Sequence, residues 1–170
     1  MIARKPFIST LLVTAAAVIA ACAPAAFAAT PASGAHAHEQ AAGSPALRLD
    51  HGRKWATDAP LRQGMARIRG LVAPQLAAAH GGRLEPADYA ALATKIDAEV
   101  AAIVKDCRLP PEADGVLHVV LGELLAGTGT LAGRTAGATP VDGLVQVVAA
   151  VNTYGRYFEH PGWKPLAEAH

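Results

Sequence analysis

Three side chains able to ligate a soft metal ion lie in separate apolar stretches of the chain: Met65, Cys107 and His118. Copper(I) favours thioether and thiolate sulfur and accepts imidazole, so these residues form a chemically sensible copper set. One thioether and one imidazole are too few for a structural zinc site, which takes four nitrogen or sulfur ligands. Met65 and His118 would also suffice as the two axial ligands of a haem.

Each of these residues also has a structural interpretation. Met65 stands at core spacing in an apolar stripe, where methionine is commonly a flexible filler. His118 follows Asp114 by one helical turn, which favours a hydrogen bond to that carboxylate. Cys107 closes an apolar stretch and is consistent with a small buried hydrophobe. The sequence leaves both sets of interpretations open.

A second group of candidates lies near the C-terminus and consists of Tyr154, Tyr157, Phe158, His160 and Trp163. His160 offers another imidazole, and Tyr154 is a candidate for the wall of a cofactor site. The alternative is a packed aromatic end in which His160 simply closes a helix, where a cation interacts favourably with the helix dipole.

The chain lacks the residue patterns of the common enzyme classes. Cys107 has His118 or His160 as a candidate partner, but no third member of a nucleophilic triad and no oxyanion loop can be identified. No Gly-x-x-x-x-Gly-Lys motif occurs, and the Glu-x-x-His pairs of di-iron bundles are absent. We therefore predict that the protein is not an enzyme.

Composition narrows the class further. The chain has 170 residues, enough for one domain of ordinary size, with 15 basic and 14 acidic residues and a net charge of +1. This balance provides no basic field for nucleic acid. Hydrophobic residues make up 52% but aromatic residues only 5%, because much of the total is alanine. A polytopic membrane protein is therefore not expected.

The N-terminus has the pattern of an export signal. Arg4 and Lys5 precede an apolar stretch over residues 7–21 that is too short to span a membrane. Two cleavage sites compete. Residues 26–28 form an A-x-A site that would end a signal peptide at residues 1–28, whereas residues 19–22 resemble a lipobox that would leave a lipidated Cys22. Either product is periplasmic, and the protein would contact a membrane only if lipidated.

Residues 29–50 are rich in small residues and proline, which predicts a flexible linker before a folded domain over residues 51–170. The linker contains His36 and His38, which we interpret as solvated side chains rather than a strong metal site.

Four helices are predicted in that domain from apolar spacing and from the residues that begin and end each stretch. They cover about residues 59–79, 85–108, 111–131 and 139–160. No segment alternates with period two, so no strand is expected. Short turns favour an all-α, antiparallel up-down-up-down four-helix bundle.

This topology would bring the candidate ligands to one end of the bundle. The first and third helices begin there, and the second and fourth end there. Met65, His118 and Gly155 would then lie at the same depth, about 9 Å inside at 1.5 Å per residue. Cys107 and His160 would lie at the rim.

Residues 115–124 (GVLHVVLGEL) and 148–158 (VAAVNTYGRYF) resemble the second half of the cytochrome b562 family. Met65 falls where that family carries its methionine haem ligand, and the resemblance covers about residues 58–160. It implies b-type haem and electron transfer. The family's histidine ligand follows the Asn-x-Tyr of the fourth helix, and this position is Gly155. His118 or His160 would have to replace it.

The expected function is therefore that of a small periplasmic bundle that binds b-type haem or a soft metal ion such as copper, with a redox protein as partner. The alternative is a cofactor-free bundle that binds another protein or a misfolding client.

Overall fold

The computed structural model describes residues 46–168. It contains four helices: α1 (Ala59–His80), α2 (Pro86–Asp106), α3 (Pro111–Leu131) and α4 (Pro140–Tyr157). Within that range no strand forms, and the only extended pairings are two isolated bridges. The predicted all-α class and the four helices are confirmed. The predicted signal peptide, Cys22, His36 and His38 lie outside the described residues.

The helix starts follow from local chemistry. A proline occupies the first turn of every helix, where its missing N–H costs nothing. Asp58 caps α1 by accepting a hydrogen bond from the Leu61 N–H at 2.9 Å. Thr139 and Asp142 form a capping box at the start of α4.

The end of α4 differs from the prediction. The helix stops at Tyr157 rather than near His160, because the following residue is drawn into an extended pairing with Trp55. The Trp55 N–H donates to the Tyr157 carbonyl, and the Glu159 N–H donates to the Trp55 carbonyl, both at 2.8 Å. We refer to these two hydrogen bonds as the terminal clasp.

The core consists of the predicted apolar stripes. The α1 stripe (Leu61, Met65, Ile68, Val72 and Leu76) and most of the α2 stripe, including Ile96, are buried. α1 continues through Pro74 to His80. Leu47, at the end of the predicted linker, also packs against this core.

Two glycines bring α3 and α4 unusually close together. A Cβ atom on Gly143 would lie 2.6 Å from the Leu131 Cα, and one on Gly127 would lie 2.9 Å from the Val147 backbone nitrogen. Any side chain at these positions would force the helices apart. The remaining packing joins α1 to α2, α2 to α3 and α1 to α4. None of the described helices is long and apolar enough to cross a membrane.

Candidate functional site

Met65 lies where the sequence places it, in the buried stripe of α1, and its side chain is fully enclosed. This placement agrees with the core-filler interpretation. A thioether there is shielded from solvent on every side.

His118 does not share an internal layer with Met65, and that expectation is wrong. Its side chain is 58% exposed, and its Nδ1 lies 2.9 Å from the Asp114 carbonyl and 3.3 Å from the Asp114 carboxylate. The buried positions of α3 include Leu117, Leu121 and Leu124, and residue 118 falls off that stripe. The sequence left a contact with Asp114 open as the alternative, and this contact forms, although the hydrogen bond is to the Asp114 backbone carbonyl rather than to its carboxylate.

Gly155 leaves no room for a cofactor. Instead, the Trp163 ring occupies the space, since a Cβ on Gly155 would overlap the Trp163 Nε1 and lie 2.5 Å from its Cδ1. The missing side chain of Gly155 therefore leaves no free space for a ligand. The chain after α4 folds back and fills the gap.

The predicted aromatic end exists as a packed cluster. Tyr154 and Phe158 are fully buried and stack with ring centroids 5.4 Å apart. Trp163 meets the edge of Tyr154 at 4.9 Å and lies 4.8 Å from His160. The Tyr154 ring is therefore packed inside this cluster and does not line an open cavity.

A hydrogen bond of 2.9 Å joins the Tyr154 hydroxyl to His160 Nδ1. Burial raises the pKa of Tyr154, so the hydroxyl keeps its proton. Burial and the nearby Arg62 guanidinium lower the pKa of His160, so the imidazole is mainly neutral at pH 7. Nδ1 is the only partner that the described residues give this buried hydroxyl. We therefore assign the tyrosine as donor, which places the histidine proton on Nε2.

Cys107 is half-buried at the end of α2, and its thiol donates a hydrogen bond to Asp58. Burial, the Asp58 carboxylate and that hydrogen bond raise the pKa of Cys107 to about 12. The free thiol is therefore protonated at neutral pH, whereas a thiolate is the species that ligates a metal. Residues 46–168 contain no group of three or more His, Cys, Asp or Glu residues arranged to hold a metal ion.

Asp58 links the start of α1 to the end of α2, because its second oxygen accepts the Arg108 N–H at 2.6 Å. Burial alone would raise the pKa of Asp58, but the hydrogen bonds from Arg108, Leu61 and Cys107 lower it below its ordinary value of 3.8. A lowered pKa stabilises the fold above pH 3.8, and that contribution disappears as the pH falls through the folded-state value.

We expect Asp58→Ala to reduce the free energy of unfolding at pH 7 by about 1–2 kcal/mol, the usual cost of losing a helix cap. The difference from the parent should shrink as the pH falls below 3.8. Urea unfolding followed by circular dichroism across this pH range checks both statements. Asp106→Ala, which removes an exposed aspartate at the end of α2, is the control and should change little.

The residues present do not fit a haem with two protein axial ligands. Met65 is enclosed by the core and His118 faces solvent, so these two side chains do not flank a common space. The position of the family's histidine is covered by Trp163.

Two surface features were not anticipated from the sequence. A pocket of about 180 Å³ between α1 and the segment after α4 is lined by Ala66, Arg69, His160, Gly162, Trp163 and Lys164. A groove of about 280 Å³ on α4 is lined by Val145, Val148, Ala149, Asn152, Arg156 and Glu168. The sequence contains one indication of a positively charged pocket beside α1, since this helix has three arginines and no acidic residue.

Comparisons with protein-family profiles, curated proteins and solved structures find no match to this chain.

Proposed function

We propose that this protein is an exported, cofactor-free four-helix bundle that binds apolar segments of unfolded client proteins. The residue pattern of positions 1–28, which predicts an export signal, supports a periplasmic location. The enclosed Met65, the exposed His118 and the Trp163 ring over Gly155 favour a bundle without haem or copper.

We infer that the helices alternate in direction around the bundle. The start of α1 lies beside the end of α2 through Asp58 and Arg108, and beside the end of α4 through the terminal clasp. The start of α4 lies against the end of α3 through Gly143 and Leu131. These contacts support the up-down-up-down arrangement.

The observation that carries the binding proposal is an apolar stripe on the outer face of α4. Val141, Val145 and Ala149 follow one another at intervals of four residues, so they lie on one face of α4. Val141 and Val145 are 37% and 38% exposed. The groove beside Val145 and Ala149 also includes Asn152, whose side-chain amide holds the Leu166 backbone through two hydrogen bonds of 2.8 and 3.1 Å.

The stripe offers apolar side chains to solvent, and the groove beside it adds the polar side chains of Asn152, Arg156 and Glu168. This combination suits an extended stretch of an unfolded chain, whose apolar side chains would lie on the stripe while its backbone meets the polar groups.

The test uses the mature chain and chemically reduced lysozyme, whose aggregation is followed by light scattering. We expect the parent to suppress aggregation and Val145→Lys to lose most of that effect, because it places a charge in the apolar stripe. Val104→Lys is the matched control. It changes a valine on α2 that is 57% exposed and lies outside the stripe, so suppression should persist.

Equal suppression by both lysine variants, or none by the parent, would overturn the client proposal. The same preparations, made in an exporting host, should be colourless and take up no copper. A Soret band or stoichiometric copper uptake that Met65→Ala abolishes would instead restore the cofactor interpretation.

A further inference from the structure

The pocket between α1 and the segment after α4 has a consistent chemical character. Ala66 and Gly162 are its small residues, Trp163 and His160 supply ring surfaces, and Arg69 and Lys164 supply positive charge. No carboxylate lines the pocket, and it shares no residue with the groove on α4.

The two cations are available for a ligand. Arg69 uses its Nε to donate to the Lys164 carbonyl at 2.6 Å, which fixes the guanidinium while leaving its two terminal nitrogens uncommitted. Neither Arg69 nor Lys164 forms an ion pair with any residue between 46 and 168. By contrast, Arg67, also on α1, is paired with Glu99 at 2.7 Å.

His160 adds a neutral donor. Since Nδ1 accepts from the Tyr154 hydroxyl, the proton lies on Nε2, and the described part of the chain provides no acceptor for it. The indole Nε1 of Trp163, on the neighbouring ring, has no hydrogen-bond partner among the described residues, but it is buried against Gly155 and is not one of the donors open to the pocket. The side chains of this region therefore present N–H donors and no charged acceptor.

We propose that this pocket binds a small oxyanion, namely a carboxylate or phosphate group. The terminal nitrogens of a fixed guanidinium match the two oxygens of such a group, and hydrogen bonds between ionised partners are the stronger class. A volume of about 180 Å³ admits a small anion and excludes a large cofactor. The inference does not depend on client binding by α4.

The experiment titrates the mature ¹⁵N-labelled protein with inorganic phosphate and, separately, with acetate, at constant ionic strength in chloride. Two NMR signals report on the pocket: the indole N–H of Trp163 and the ring protons of His160. Both should shift and saturate. The bound anion should also raise the pKa of His160, because it offsets Arg62 and Arg69 on α1 and Lys164 beyond Trp163, while Tyr154 stays protonated. His80, at the far end of α1, should not respond.

Lys164→Gln and Arg69→Gln should each weaken binding about tenfold, the effect of one hydrogen bond to a charged group. Lys95→Gln and Lys105→Gln on α2 are the matched controls, since each removes one charge outside the pocket. Lys164→Gln keeps the Arg69 contact to its backbone carbonyl, so its loss of binding does not require a disturbed fold.

Saturation by phosphate alone identifies a phosphate source, and saturation by acetate alone identifies a carboxylate source; both support the oxyanion site. Absence of saturation with either anion would overturn the proposal. So would equal affinities in the pocket variants and the α2 controls, because the anion would then respond to overall charge. The Lys164→Gln variant should suppress aggregation as well as the parent does. A failure of the oxyanion proposal can therefore be distinguished from a failure of the client proposal.

Discussion

Ile96→Asp is expected to destabilise the bundle by about 3–5 kcal/mol, because it leaves an unpaired charge in the core. Ile96 is fully buried in the middle of α2, in a helix that packs on both α1 and α3. Domains of this size have total stabilities of about 5–15 kcal/mol, so a loss of this size removes a large share of the free energy of unfolding. Thermal and urea unfolding followed by far-UV circular dichroism measure the loss.

Ala98→Asp provides the matched control for this substitution. Residue 98 lies on the exposed side of the same helix, so the same charge should cost little there. If the two aspartate variants unfold at the same urea concentration, the assignment of the buried face of α2 is wrong.

Gly143→Ala is expected to have the second-largest effect. Its new Cβ would lie 2.6 Å from the Leu131 Cα, and backbone atoms cannot move aside as a flexible side chain can. Overpacking of this kind usually costs about 1–3 kcal/mol, and separation of two helix backbones falls at the upper end. The loss should lower the melting temperature by several degrees, measured by circular dichroism.

Gly122→Ala should have the opposite sign. A Cβ on Gly122 in α3 meets no atom within 4 Å, so alanine gains helix propensity without a clash and should stabilise by up to about 1 kcal/mol. Destabilisation by both alanines, or by neither, would contradict the close approach of α3 and α4 described above.

The fold was largely predictable because its determinants are local. The apolar spacing of Leu61, Met65 and Ile68 defines a buried helix face, and Thr139 with Asp142 defines where α4 begins. The end of α4 was not predictable in this way. It depends on hydrogen bonds to Trp55, a residue about a hundred positions earlier, and spacing within α4 carries no information about that contact.

The candidate site was less predictable, because it too depends on contacts between residues that spacing within a single helix does not reveal. Tyr154, His160 and Trp163 form a packed aromatic cluster, which is the alternative that the sequence left open for these residues. Depth along the axis, however, does not fix the direction in which a side chain points, and His118 faces solvent. The sequence also could not show that the segment after α4 would place Trp163 over Gly155.

The terminal clasp has a mechanical consequence. Trp55 and Phe158 pair in parallel, and the two hydrogen bonds of the clasp lie where the chain enters α1 and leaves α4. A pull applied through the two ends of the domain would slide these segments past each other in shear. Both hydrogen bonds would then carry the load together, whereas a hairpin pulled from its open end releases them one after another. On the C-terminal side, the two hydrogen bonds between Asn152 on α4 and the Leu166 backbone would share this load with the clasp.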